Sequence, residues 1–127
     1  MRGGRRILLV EDDQDLVSTL YDVLRDEGCV VFAASSGEAA ISLCREQPAV
    51  AFVDLHIDGG VSAETLIAAL RSSLPYGAKV YLLSAENDLA ARAEELGADG
   101  YLEKPFTIDD LLALVDHPDA EAAASPL

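Results

Sequence analysis

The sequence predicts an α/β fold, (βα)5: a doubly wound, five-stranded parallel sheet of order 2-1-3-4-5 between two helical layers. Three observations predict it. Short, continuous apolar runs alternate with segments of helical period along nearly the whole chain. The runs are apolar at consecutive positions, as strands covered on both faces must be. Gly, Pro, Ser or Thr mark most changes of period. Strictly alternating strands and helices require right-handed crossovers, and so a mostly parallel sheet.

The first strand is the run ILLV at 7–10, and Leu16, Val17, Leu20, Val23 and Leu24 then recur at helical spacing as far as Gly28, a C′ glycine. The second strand is 30–34. Ser35 with Glu38 forms a capping box for the second helix, which carries Ala40, Ile41 and Cys44 and is closed by Pro48. The third strand, 49–53, is followed by a helix over 62–73 with Ala63, Leu66, Ile67 and Leu70 on one face. The fourth strand is 80–83, and Leu89, Ala93 and Leu96 mark a helix stopping at Gly97. A short fifth strand at 100–102 precedes the last helix, which opens on Thr107 as N-cap and carries Leu111, Leu112, Leu114 and Val115 before Pro118.

Length and charge narrow the function. A chain of 127 residues suits one domain with a two-sided core, here 1–117, leaving 118–127 as a tail or linker stub. Nine Lys and Arg against 23 Asp and Glu give a formal charge of −14. No basic cluster exceeds Arg5-Arg6, which argues against direct binding to nucleic acid. The N-terminal apolar run of four residues is too short for a signal-peptide core or a membrane span, so a cytoplasmic protein is expected. Cys29 and Cys44 read as reduced core thiols.

Polar residues gather where strands end. Glu11-Asp12-Asp13 follow the first strand, Asp54 the third and Ser84 the fourth, while Lys104-Pro105-Phe106 follow the fifth. In a sheet of this order the ligand crevice lies beyond the carboxyl ends of the strands, between strands one and three. Singly each residue has a plainer role, and Asp13 reads as the cap of the first helix. Together, three close carboxylates would raise one another's pKa unless a cation sat among them. Oxygen donors without a His or Cys pair at metal spacing favour Mg²⁺ over Zn²⁺. With Mg²⁺ offsetting the charge of Glu11 and Asp12, Asp54 can attack phosphorus as a carboxylate nucleophile, and Ser84 and Lys104 can donate to the phosphoryl oxygens.

The ordered set "ILLVEDD", "FVDLHIDGG", "LLSA" and "GADGYLEKPF" resembles the receiver domain of bacterial two-component response regulators, with its flavodoxin-like fold, over residues 5–117. The resemblance implies phosphotransfer to Asp54 from a histidine kinase or a histidine phosphotransfer protein, then slow autodephosphorylation. It also implies metal ligation by Glu11, Asp12, Asp54 and the backbone carbonyl of His56. Ser84 and Lys104 become phosphate contacts, Ser84 and Tyr101 switch residues, and Lys104-Pro105 a cis peptide. A downstream protein would read the face of helix 4, strand 5 and helix 5, by a monomer or weak homodimer.

Departures from that pattern are local. Ile57 and Asp58 replace a common Met-Pro pair, which together with Gly59-Gly60 is expected to free the loop, and Asp58 adds negative charge beside the acceptor. His56 and Glu86 occupy positions that in this family influence access of water to the acyl phosphate. Tyr101 also reads as a plain edge-strand core aromatic. Two rivals stand beside the receiver reading. One is a pseudo-receiver that keeps the fold without the chemistry. The other is a haloacid-dehalogenase-type phosphatase, which needs an Asp where His56 stands and usually a cap domain.

Overall fold

A computed structural model describes residues 3–57 and 61–116. Among these residues five strands alternate with five α-helices: β1 (Arg6–Val10), α1 (Gln14–Asp26), β2 (Val30–Ala34), α2 (Gly37–Leu43), β3 (Val50–Asp54), α3 (Ala63–Ser73), β4 (Lys79–Ser84), α4 (Leu89–Leu96), β5 (Gly100–Glu103) and α5 (Ile108–Asp116). Every pairing is parallel and the order is β2-β1-β3-β4-β5, as the alternation predicts. No helix among the described residues is long and apolar enough to cross a membrane.

The central strands are apolar at consecutive positions between their polar ends because both faces are covered. Ile7, Leu9, Phe52 and Tyr81 pack with Leu20 and Leu24 of α1 and with Leu111, Leu114 and Val115 of α5. On the other face, Leu8, Val10, Val53 and Leu82 pack with Ala40 of α2, Leu66, Ile67 and Leu70 of α3, and Leu89 and Ala93 of α4. Each Leu, Ile, Val or Phe among them stabilises the fold by about 1.5–3 kcal/mol. Strands apolar on both faces specify register weakly, because a slip of one residue still meets apolar neighbours. The charged strand ends supply what is missing. Sliding β3 inward would bury Asp54 away from Lys104, an unpaired charge in the core.

Local signals set the helix ends. Asp13 caps α1, its carboxylate accepting from the amides of Asp15 and Leu16 at 3.1 and 3.2 Å. Gly28 leaves that helix at φ +93°, a conformation that favours glycine. At α5 the Thr107 hydroxyl accepts from the Asp110 amide at 3.0 Å. The capping box at Ser35 is not formed. Ser36 is the cap of α2, accepting from the Ala39 amide at 3.1 Å, so the helix opens one residue later than expected. Two adjacent serines offer both frames, and the observed one seats Gly37 where a Cβ would lie 3.2 Å from Val61 Cβ. The second helix is also shorter: from Cys44 to Glu46 it tightens into a 3₁₀ turn and ends at Gln47, whose φ is +56°. Cys29 and Cys44 are buried and form no disulfide.

Tyr81 shows how tightly β4 and β5 fit. It is 1% exposed, its ring stacks on Phe52 at 5.7 Å, and a Cβ built on Gly100 would come within 3.1 Å of it. Gly100→Ala is therefore expected to destabilise the fold by about 1–3 kcal/mol, since the ring has no room to yield. A urea unfolding midpoint equal to that of the parent protein would contradict this.

Candidate functional site

The crossovers leaving β1 and β3 run in opposite directions, so the sheet opens between these strands at its carboxyl end. Val10 pairs with Val53, which brings Glu11 and Asp12 level with Asp54. One carboxylate oxygen from each of the three lies within 4.8 Å of the others. Glu11 and Asp54 are buried, at 1% and 6% exposed, and Asp12 is half-buried at the mouth.

Lys104 completes the cluster from beyond β5. Its Nζ lies 2.9 Å from Glu11 Oε1 and 3.4 Å from Asp54 Oδ2. Its backbone amide donates to Ser84 O at 2.8 Å, and its peptide bond to Pro105 is cis. Backbone donors hold the carboxylates as well: the His56 amide reaches Asp54 Oδ1 at 3.0 Å, and the Asp13 amide reaches Glu11 Oε2 at 3.2 Å.

These contacts divide the charge unevenly. Burial, then the contact with Asp54, push the Glu11 carboxyl above its ordinary pKa, and the opposing hydrogen bonds from Lys104 and the Asp13 amide are weaker. Burial also acts to raise Asp54, but hydrogen bonding to Glu11 and to the His56 amide, with the Lys104 charge, outweighs it and holds Asp54 below the ordinary range. Burial acts to lower Lys104, and its two carboxylate partners outweigh that and raise it. The result is an Asp54 carboxylate favoured in its ionised form beside the Lys104 ammonium. Three carboxylates against one ammonium leave the crevice short of positive charge, and an all-oxygen donor set at this spacing fits a hard divalent cation such as Mg²⁺.

Ser84 closes β4 with its side chain buried. Asp54 pairs with Leu83, so strand alternation turns Ser84, one residue on, toward the opposite face. Its buried hydroxyl accepts from the Glu86 amide at 3.0 Å and donates to Glu86 Oε1 at a long 3.4 Å. The same Glu86 oxygen lies 3.1 Å from His56 Nε2. The structure therefore joins Glu11, Asp12, Asp54 and Lys104, and engages Ser84 and the His56 ring with Glu86.

Tyr101 is half-buried on the edge strand β5 and packs on the cluster that holds Leu89 and Ala93 of α4. Ile57 is half-buried and packs against the core cluster that holds Leu66 and Ile67 of α3. Asp58, Gly59 and Gly60, and the C-terminal stretch from His117 that includes Pro118, lie outside the described residues. Arg92 of α4 escaped the sequence reading. It reaches Glu64 of α3 at 3.4 Å and Glu86 at 3.9 Å, pairings between separate elements that no sequence spacing reveals.

Comparison with known proteins agrees with this fold. The family profile of the response regulator receiver domain matches residues 7–116. The chain is 33% identical over 118 residues to the transcriptional regulatory protein PdtaR of Mycobacterium tuberculosis, covering 88% of this chain and 55% of that protein. It is 36% identical over 112 residues to the transcriptional regulatory protein CpxR of Escherichia coli, covering 87% of this chain and 47% of that one. It thus spans about half the length of these curated relatives. In fold it is similar to the chemotaxis response regulator CheY4 of Vibrio cholerae, with a TM-score of 0.78 at 22% identity, covering 90% of this chain and 98% of that one. The family profile covers both the acidic crevice and the sheet that builds it, and the chain belongs to the response regulator receiver domains of two-component systems.

Proposed function

We propose that this receiver domain is a phosphorylation-driven switch in a cytoplasmic phosphorelay, with Asp54 as the phosphoacceptor. The donor is the phospho-His of a sensor histidine kinase or a histidine phosphotransfer protein. The observation that carries this reading is the convergence of Lys104 Nζ on Glu11 and Asp54 within a cluster of three carboxylates.

An Asp54 carboxylate oxygen attacks phosphorus. A P–O bond forms, the P–N bond breaks, and its electron pair returns to the imidazole of the donor. The Glu11, Asp12 and Asp54 side chains, with the backbone carbonyl of His56, would hold Mg²⁺, which when bound offsets negative charge on the transferring oxygens. Lys104 supplies N–H donors to the same oxygens from its position 3.4 Å from Asp54. Water later attacks the phosphoryl group, the P–O bond to Asp54 breaks, and the carboxylate returns with release of inorganic phosphate. So the domain assists its own phosphorylation and reset without acting as an enzyme on other substrates.

The new dianion is a partner for Lys104 and for the Ser84 hydroxyl. Ser84 turns toward it, the β4–α4 loop follows, and Tyr101 takes the space left beside α4. The face formed by α4, β5 and α5 is then the surface read by a downstream protein.

Incubation with Mg²⁺ and acetyl phosphate is expected to add one phosphoryl group, seen in the intact mass, and chelation of the metal to prevent it. Absence of labelling in both conditions would overturn the proposal in favour of an interaction module, and steady turnover of an aryl phosphate would favour a phosphatase. In calorimetric titration, Glu11→Gln and Asp12→Asn are each expected to weaken Mg²⁺ binding by at least about tenfold, since loss of a direct ligand exceeds loss of its outer supports. Unchanged affinity in both variants would remove the metal from this crevice.

A further inference from the structure

We infer that Glu86 is a positioning residue that opposes phosphorylation by competing with the phosphoryl group for the Ser84 hydroxyl. This rests on the reading of Asp54 as phosphoacceptor and names the contact that must break for the switch to move.

Ser84 is 1% exposed, and a hydroxyl so buried needs an acceptor for its proton. Among the described residues its hydroxyl meets two groups of Glu86: the amide that donates to Oγ at 3.0 Å and the carboxylate oxygen that accepts at 3.4 Å. The first bond closes the turn after β4 and depends only on backbone. The second is long for an O–H···O bond, so it is the weaker and the first to be exchanged.

Glu86 is itself anchored from two other elements. His56 Nε2, in the loop after β3, lies 3.1 Å from Oε1, and Arg92 Nε, on α4, lies 3.9 Å from Oε2. Arg92 also reaches Glu64 of α3 and Glu95 of its own helix, at 3.4 and 3.5 Å. A carboxylate held this way does not follow Ser84 when the hydroxyl swings toward a phosphoryl oxygen. The hydroxyl must leave Glu86, and the strength of that bond is subtracted from the gain at the phosphoryl group.

The experiment uses Mg²⁺ with beryllofluoride, a stable mimic of the acyl phosphate, and measures its apparent affinity by calorimetry in the full chain. Glu86→Ala is expected to raise the affinity about three- to tenfold, the range of a hydrogen bond to a charged group when stretched. Glu86→Gln, which keeps an acceptor oxygen without the charge, should fall between the parent and the alanine variant. In a Ser84→Ala background Glu86→Ala should have no effect, because nothing remains to compete for. An equal gain with and without Ser84 would overturn the inference and reduce Glu86 to a source of general repulsion, as would no gain in either background. Failure of the parent protein to bind beryllofluoride at all would instead strike at Asp54 as acceptor. A thermal unfolding scan of each variant separates these outcomes from loss of fold.

Discussion

Asp54→Asn is expected to lower acyl-phosphate labelling to background while the protein stays folded. The amide matches the carboxylate in shape but lacks the anionic oxygen that must bond to phosphorus. Its carbonyl oxygen can still accept from the His56 amide, which lies 3.0 Å from Asp54 Oδ1. The substitution also removes a charge facing the buried Glu11, so thermal stability should hold or rise rather than fall. Intact-mass measurement after acetyl phosphate treatment, paired with circular dichroism, checks both halves. Labelling equal to that of the parent protein would refute the assignment of the acceptor.

Lys104→Met carries the second large effect, on stability. The Lys104 ammonium touches Glu11 and Asp54, and removing it leaves two buried carboxylates facing each other. Breaking a buried pair by deleting one partner costs about 3–5 kcal/mol when both charges stay uncompensated. Here Glu11 already lies above its ordinary pKa and can take up a proton, which reduces the expected loss to about 1–3 kcal/mol at neutral pH. Mg²⁺ should restore part of that loss, because a divalent ion among the carboxylates substitutes for the missing ammonium. Urea unfolding in chelator and in saturating Mg²⁺ provides the comparison. A variant as stable as the parent in chelator, or one whose deficit is the same in both solutions, would show that Lys104 does not balance this cluster.

The sheet was legible because its evidence is periodic. Apolar runs such as Ile7–Leu8–Leu9–Val10 repeat between helical segments, and a strand buried on both faces leaves no other pattern. Caps that depend on one side chain and its near neighbours, Asp13 and Thr107, were legible for the same local reason. At Ser35 and Ser36 two local readings were equivalent, and a tertiary contact, Gly37 against Val61, distinguishes them.

The site divides along the same line. Glu11, Asp12 and Asp54 come together through strand order and register alone, both implied by the alternation of elements. Lys104 also depends on a side-chain path from β5 to Glu11, 93 positions away in sequence, which chemistry suggested and spacing did not. The engagement of Ser84 with Glu86, and the bridge from Glu86 to Arg92, depend on rotamers and on pairing between separate elements. Periodicity carries neither kind of information.

The most direct test is to locate the transferred group. After treatment with Mg²⁺ and acetyl phosphate, borohydride reduction and proteolysis, the modified residue read by tandem mass spectrometry should be Asp54, and the modification should disappear when Mg²⁺ is chelated. A phosphoryl group found instead on His56, Asp12 or Asp13, with Asp54 unmodified, would contradict the account.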